Sequence, residues 1–171
     1  HGGILNKVST VPGVGVDFSK KMVKEATRRY KYHRFYCQEL GNIRLNETFP
    51  TILLPDVVEY IDDLDKAFAN IAELLESEGT LIVTSPNPIW FPILKLATLF
   101  NLKMNDKFSK LPSKNKITQA AEKNNIYIKK FSTELLIPKK IPGSKWINEI
   151  MKGISTLYDK GVIMVIVFVK N

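Results

Sequence analysis

Residues Gly13–Met22 read Gly-Val-Gly-Val-Asp-Phe-Ser-Lys-Lys-Met, a short apolar strand that stops at an acid and turns at once into a helix. Val14 and Val16 are β-branched and favour extended backbone, and Ser19 is placed to cap the next helix by accepting a bond from a free first-turn N–H. Strand, acid, turn and helix in that order make a βα unit. In open α/β sheets ligands bind beyond the carboxyl ends of the strands. Asp17 stands at such an end, where a carboxylate can accept hydrogen bonds from the ribose hydroxyls of a nucleoside. The same order also occurs as plain helix capping, so the flanks decide its meaning.

Upstream, His1-Gly2-Gly3-Ile4-Leu5 has the look of the tail of a glycine-rich nucleotide loop. Downstream come Phe49-Pro-Thr-Ile-Leu-Leu-Pro-Asp-Val-Val-Glu-Tyr-Ile61, then Leu74-Leu75-Glu-Ser-Glu-Gly79, the strand Thr80–Thr84, and Ser85-Pro-Asn-Pro88. In order and spacing, Gly2 to about Pro88 resembles the class I S-adenosylmethionine-dependent methyltransferases, in particular the small-molecule branch that includes quinone-biosynthesis enzymes.

The resemblance implies a Rossmann-like three-layer α/β sandwich, with a mostly parallel sheet and an antiparallel last strand. It implies S-adenosylmethionine as cofactor and methyl transfer to a small-molecule or lipid-like acceptor. The family loop reads approximately Asp-x-Gly-x-Gly-x-Gly, and Gly2 matches its last glycine. The first strand and the earlier glycines then fall before His1, so the resemblance implies an N-terminally truncated domain. Carried over residue by residue, Asp17, with Phe18 beside it, would hold the ribose. Glu39 would meet the adenine amino group with Leu40 against the ring, Gln38 being the alternative after a one-residue shift. Gly2 and Leu54 would contact the methionine portion. On the substrate side the candidates are Tyr60, which replaces a histidine common in relatives, Asn87 in the exit loop, and Trp90. No residue stands out as catalytic, and there is no triad and no metal-ligand spacing.

A chain of 171 residues that is 44% hydrophobic is expected to form one domain, with a cofactor-binding half over 1–88 and substrate-side helices and C-terminal strands over 89–171. No stretch reads as a signal peptide, and the longest apolar run, Val162–Val169, is far short of the roughly 20 residues of a spanning helix. The single Cys37 excludes an internal disulfide, fits a reducing, cytoplasmic compartment, and is expected as a small buried hydrophobe in a strand. The net charge of +8 is uneven: residues 1–100 carry 11 lysines and arginines against 12 acids, and 101–171 carry 14 against 5. All 14 of the latter are lysines, whereas phosphate and base recognition lean on the planar fork of arginine. That argues against nucleic acid and for solvated lysine on helix faces.

Further along, Met22, Val23 and Ala26 give the helix after Ser19 an apolar side, and Tyr32–Cys37 reads as the next strand, with His33 a surface or core histidine. Phe49–Leu54 reads as a strand weakened at its start by Pro50, which cannot donate to a ladder. Asp56-Val-Val-Glu59 has the form of a capping box, so both acids are read as structural first and as a catalytic pair second. Leu64, Ala67, Phe68, Ile71, Leu74 and Leu75 recur at helical spacing, with Gly79 placed to end that helix. Ile89–Leu102 is too apolar for an ordinary surface helix, which leaves a buried helix, a lid over an apolar acceptor, or peripheral membrane contact. Asn101–Lys116 reads as a loop, Thr118–Asn124 as a short helix, Phe131–Ile137 as a strand, Trp146–Leu157 as a helix stripe, and Val162–Val169 as a final strand buried on both faces.

Two rivals share these features. An NAD-type Rossmann enzyme also carries an acid after its second strand. A non-catalytic binding or membrane-associated module could keep the fold and lose the cofactor site, in line with Pro50 and the apolar stretch after Ile89.

Overall fold

The computed structural model describes residues 2–90, 111–134 and 161–171, and contacts gather the chain into two compact units, His1–Asn46 and Glu47–Asn171. The first contains α1 (Gly3–Val8), β1 (Val14–Asp17), α2 (Lys20–Arg29) and β2 (Arg34–Cys37). β1 and β2 pair in parallel, with Val14 opposite Arg34 and Asp17 opposite Cys37. Close packing explains the glycines: a Cβ on Gly15 would lie 2.6 Å from the Phe35 ring, and one on Gly2 would lie 2.8 Å from it. Gly2 also has a φ of 67°, a left-handed conformation that glycine takes without steric cost. His33 is buried, and its Nδ1 accepts from the Gly13 N–H at 3.1 Å, tying the start of β1 to that of β2. Cys37 is exposed rather than buried, because it ends a strand in a two-stranded sheet; its Sγ lies 3.4 Å from the Phe18 carbonyl.

The second unit holds β3 (Phe49–Pro55), α3 (Leu64–Leu74), β4 (Leu75–Pro86), α4 (Lys114–Glu122), β5 (Ile126–Glu134) and β6 (Ile163–Lys170). Its sheet has the order β3-β4-β6-β5, with β3 and β4 parallel and β6 antiparallel to both neighbours. The reversed last strand is the one the resemblance implied. Along β6, Met164, Ile166 and Phe168 are buried while the residues between them are half-buried, so its two faces are unequal, not both fully buried as the apolar run suggested. The inner face of α3 places Ala67, Phe68 and Ile71 against the sheet, and Phe68 meets Phe168 edge to face at 6.4 Å between centroids. α4 buries Ile117, Ala120 and Ala121.

Several boundaries differ from expectation for identifiable reasons. The capping box at Asp56 does not form. Asp56 takes a φ of 50° after Pro55, a 3-10 turn covers Val58–Tyr60, and α3 is instead capped by Asp63, which accepts from the Lys66 N–H at 3.0 Å. Gly79 does not end α3. The helix passes directly into β4, and Lys170 of β6 reaches its terminal carbonyls, with Nζ 2.7 Å from Ala72 O and 2.8 Å from Leu75 O. The ladder between β3 and β4 jumps from Phe49↔Leu75 to Thr51↔Thr80 across Pro50, which has no N–H to contribute.

α4 starts at Lys114, inside the expected loop, because Ser113 caps it by accepting from the Lys116 N–H at 3.4 Å. β5 starts five residues early, since at the edge of the sheet the exposed Lys129 and Lys130 can face water. Most of the apolar stretch beyond Trp90, the loop up to Lys110, residues 135–137 of the expected strand and the Trp146–Leu157 stripe lie outside the described residues. Among the described residues no helix is long and apolar enough to cross a membrane.

Candidate functional site

In the first unit the site residues gather at the carboxyl ends of β1 and β2. Asp17 closes β1, and its Oδ1 accepts from the Ser19 N–H at 2.8 Å while Ser19 Oγ accepts from the Met22 N–H at 3.4 Å. A strand end is thus joined to a helix start by one carboxylate and one hydroxyl. Oδ2 of Asp17 has no hydrogen-bond partner among the described residues, so one acceptor oxygen remains to be engaged at this edge. The Asp17 carbonyl accepts from the Gln38 N–H at 3.2 Å, which sets the exit of β2 beside that of β1. Phe18 is 75% exposed.

Gln38 and Glu39 separate cleanly. The Gln38 side chain is occupied by Arg44, its Oε1 accepting from the Arg44 N–H at 2.7 Å and its Nε2 donating to the Arg44 carbonyl at 3.4 Å. Glu39 is exposed and opens a turn in which its carbonyl accepts from the Asn42 N–H at 3.0 Å, with Leu40 half-buried next to it. Of the two neighbours, Glu39 is the one whose side chain is available for recognition. Gly2 belongs to this unit; a Cβ on it would meet Phe35 and Tyr30, and its carbonyl accepts from the Asn6 N–H at 3.1 Å.

In the second unit the carboxyl ends of β3 and β4 lie side by side, Pro55 opposite Thr84. Leu54 is buried within β3, and Tyr60, in the following turn, is 55% exposed. Asn87 follows β4 and is buried. Its Nδ2 donates to the Gly161 carbonyl at 3.0 Å, its Oδ1 accepts from the Ile89 N–H at 3.2 Å, and its N–H donates to the Val162 carbonyl at 2.8 Å. These bonds lash the exit of β4 to the entry of β6. Trp90 ends the 3-10 turn Pro88–Trp90. Thr84 was not singled out in the sequence; a hydroxyl directly after the apolar run Leu81–Val83 is the signal that could have found it. It accepts from the Asp56 N–H at 3.1 Å and donates to Asp56 Oδ1 at 2.8 Å.

Among the described residues, the strongest electrostatic perturbation lies on α2. Hydrogen bonds from Arg28 and Arg29 hold the Glu25 carboxyl down at about 2, on a solvent-exposed helix face.

Donor chemistry is compatible with a nucleoside in the first unit, since Asp17 and Glu39 are acceptors at strand ends and ribose hydroxyls and an adenine amino group are donors. Residues 5–83, just under half of the chain, match the family model described as a methyltransferase domain. No curated protein sequence matches the chain. Among solved structures, an S-adenosylmethionine-dependent methyltransferase from Clostridium acetobutylicum is similar at 14% identity and a TM-score of 0.64, covering 94% of this chain and 75% of that one. A putative sarcosine dimethylglycine methyltransferase from Galdieria sulphuraria reaches a TM-score of 0.67 at 12% identity, over 98% of this chain and 73% of its own. The magnesium protoporphyrin IX methyltransferase of Synechocystis, solved with bound S-adenosylhomocysteine, has a TM-score of 0.59 at 16% identity, over 92% and 63%. The fold is therefore the Rossmann-like methyltransferase fold.

Proposed function

We propose that this chain, a methyltransferase with S-adenosylmethionine as its cofactor, passes the sulfonium methyl group to a small-molecule or lipid-like acceptor. The observation that carries the reading is Asp17: within the stretch that matches the methyltransferase domain, its carboxylate closes β1 with one oxygen fixed by Ser19 and the other open to a ribose hydroxyl. Glu39 then accepts from the adenine amino group and Leu40 lies against the ring. When bound, the cofactor supplies an electrophilic methyl group. The protein's share of such a transfer is mainly to hold the reacting atoms in line, which fits a sequence without a nucleophile of its own.

The acceptor belongs at the carboxyl edge of the second unit, where Tyr60 and Trp90 follow the strand ends and Asn87 fixes the turn. A small acceptor is supported by the structural neighbours, among them enzymes named for sarcosine dimethylglycine and for a porphyrin. The order of motifs favours the quinone-biosynthesis-like branch, and the single cysteine favours a cytoplasmic setting. Lipid-like acceptors would bring peripheral membrane contact with them.

The test incubates the chain with methyl-labelled S-adenosylmethionine and a panel of small phenols, amines and lipid quinols, reading labelled product by mass spectrometry. Label on one acceptor class, with release of S-adenosylhomocysteine, is the expected result. Failure of the chain to bind the cofactor at all would overturn the reading.

A further inference from the structure

Asp56 has no cap to form, because Asp63 starts α3, yet both its backbone N–H and one carboxylate oxygen are held by hydrogen bonds. Its φ of 50° is a conformation that side-chain-bearing residues seldom adopt, though Asp does so more often than most. Its N–H donates to both the carbonyl and Oγ1 of Thr84, each at 3.1 Å, and Thr84 Oγ1 returns a hydrogen bond to Oδ1 at 2.8 Å. The Thr84 hydroxyl therefore has a fixed sense: it accepts from the backbone and donates to the carboxylate. Oδ2 has no hydrogen-bond partner among the described residues, and Asp56 is exposed.

This carboxylate stands where β3 and β4 end together, the edge at which parallel strands receive ligands. The turns leaving those two strands also expose large apolar side chains, Tyr60 at 55% and Ile89 at 58%. A preset acceptor oxygen on an edge that also exposes apolar surface suits a molecule with an apolar body and one hydrogen-bond-donating hydroxyl or amine.

We propose that Asp56, oriented by Thr84, is the residue that receives the hydroxyl or amine hydrogen of the methyl acceptor and so selects acceptors that carry such a donor. The proposal rests on the methyltransferase reading, which places the acceptor at this edge. Asp56 binds through Oδ2, and Thr84 is a positioning residue that keeps Oδ1 turned away.

The experiment titrates phenethylamine, phenethyl alcohol and ethylbenzene into the full chain and follows the backbone amide signals of Asp56 and Thr84 by NMR. Asp56→Gly and Asp56→Asn both tolerate a positive φ, so neither imposes backbone strain. The two donor-bearing probes should shift these signals and ethylbenzene should not, and Asp56→Gly should weaken donor binding about tenfold or more. Thr84→Val should weaken it less, because the carboxylate survives but turns freely. Equal binding of ethylbenzene, no response to either donor probe, or unchanged binding by Asp56→Gly overturns the proposal. Titrating the same samples with S-adenosylmethionine separates the two possible failures. Absent binding by the wild type overturns the methyltransferase reading, whereas normal binding with no Asp56-dependent probe response overturns the role of Asp56 alone.

Discussion

Substituting Lys170→Met removes the cation that closes α3 while keeping most of the apolar stem. In the native chain Nζ lies 2.7 Å from the Ala72 carbonyl and 2.8 Å from the Leu75 carbonyl, two acceptors at the negative end of the helix. A hydrogen bond from a charged group contributes roughly 1.5–3 kcal/mol, and a cation at a helix C-terminus about 0.3–1 kcal/mol when exposed, up to about 2 kcal/mol when partly buried. The two descriptions overlap and must not be added. Lys170 is half-buried, so water can reach part of the site and replace some of the lost bonding. A loss of about 2 kcal/mol is the expected result. With a urea m-value of about 2 kcal/mol/M, typical of small proteins, the midpoint should fall by about 1 M with the slope unchanged. Urea titration by far-ultraviolet circular dichroism measures it. A midpoint shift below about 0.2 M would show that the carbonyls are equally well served by water, and the capping argument would fail.

Gly15→Ala places a Cβ 2.6 Å from the Phe35 ring, which cannot be accommodated without moving the ring or the strand, so thermal unfolding should show a loss of about 1–3 kcal/mol. Hydrogen bonds from Arg28 and Arg29 hold the Glu25 carboxyl down at about 2, against an ordinary 4.5. A carboxyl depressed on folding adds stability above its unfolded value, and that stability drains away as the pH falls from about 4.5 towards 2. Following the Glu25 side-chain carbon by NMR should give a midpoint near 2, and replacing both arginines with Met should return it towards 4.5.

What the sequence made legible was local. The acid, turn and Ser19 cap after β1 lie within a few residues of each other, and the α3 stripe follows from spacing alone, so both appear where periodicity and capping chemistry put them. Contacts between distant residues were not legible. Lys170 caps a helix that ends 96 residues earlier, so no pattern around Leu74 announces it, and Gly79 looked like the natural terminator. Asp56 and Glu59 have capping-box spacing, but the left-handed backbone at Asp56 depends on Thr84, 28 residues away. Lysines hid the start of β5 because only the sheet order shows that this strand lies at an edge. For the site, strand ends could be located from the sequence. The sequence preferred Glu39 and kept Gln38 as the alternative; that the Arg44 backbone occupies the Gln38 side chain was not legible there.

The most direct test of the central claim is calorimetric titration of S-adenosylmethionine into the wild-type chain and into Asp17→Asn. Asparagine keeps an oxygen for the Ser19 N–H and replaces the open carboxylate oxygen with an amide that donates instead of accepting, so the helix start survives while ribose recognition does not. Saturable binding by the wild type is expected, weakened about tenfold or more in the variant with unfolding unchanged. Binding of equal strength in both proteins, or none in the wild type, would contradict it.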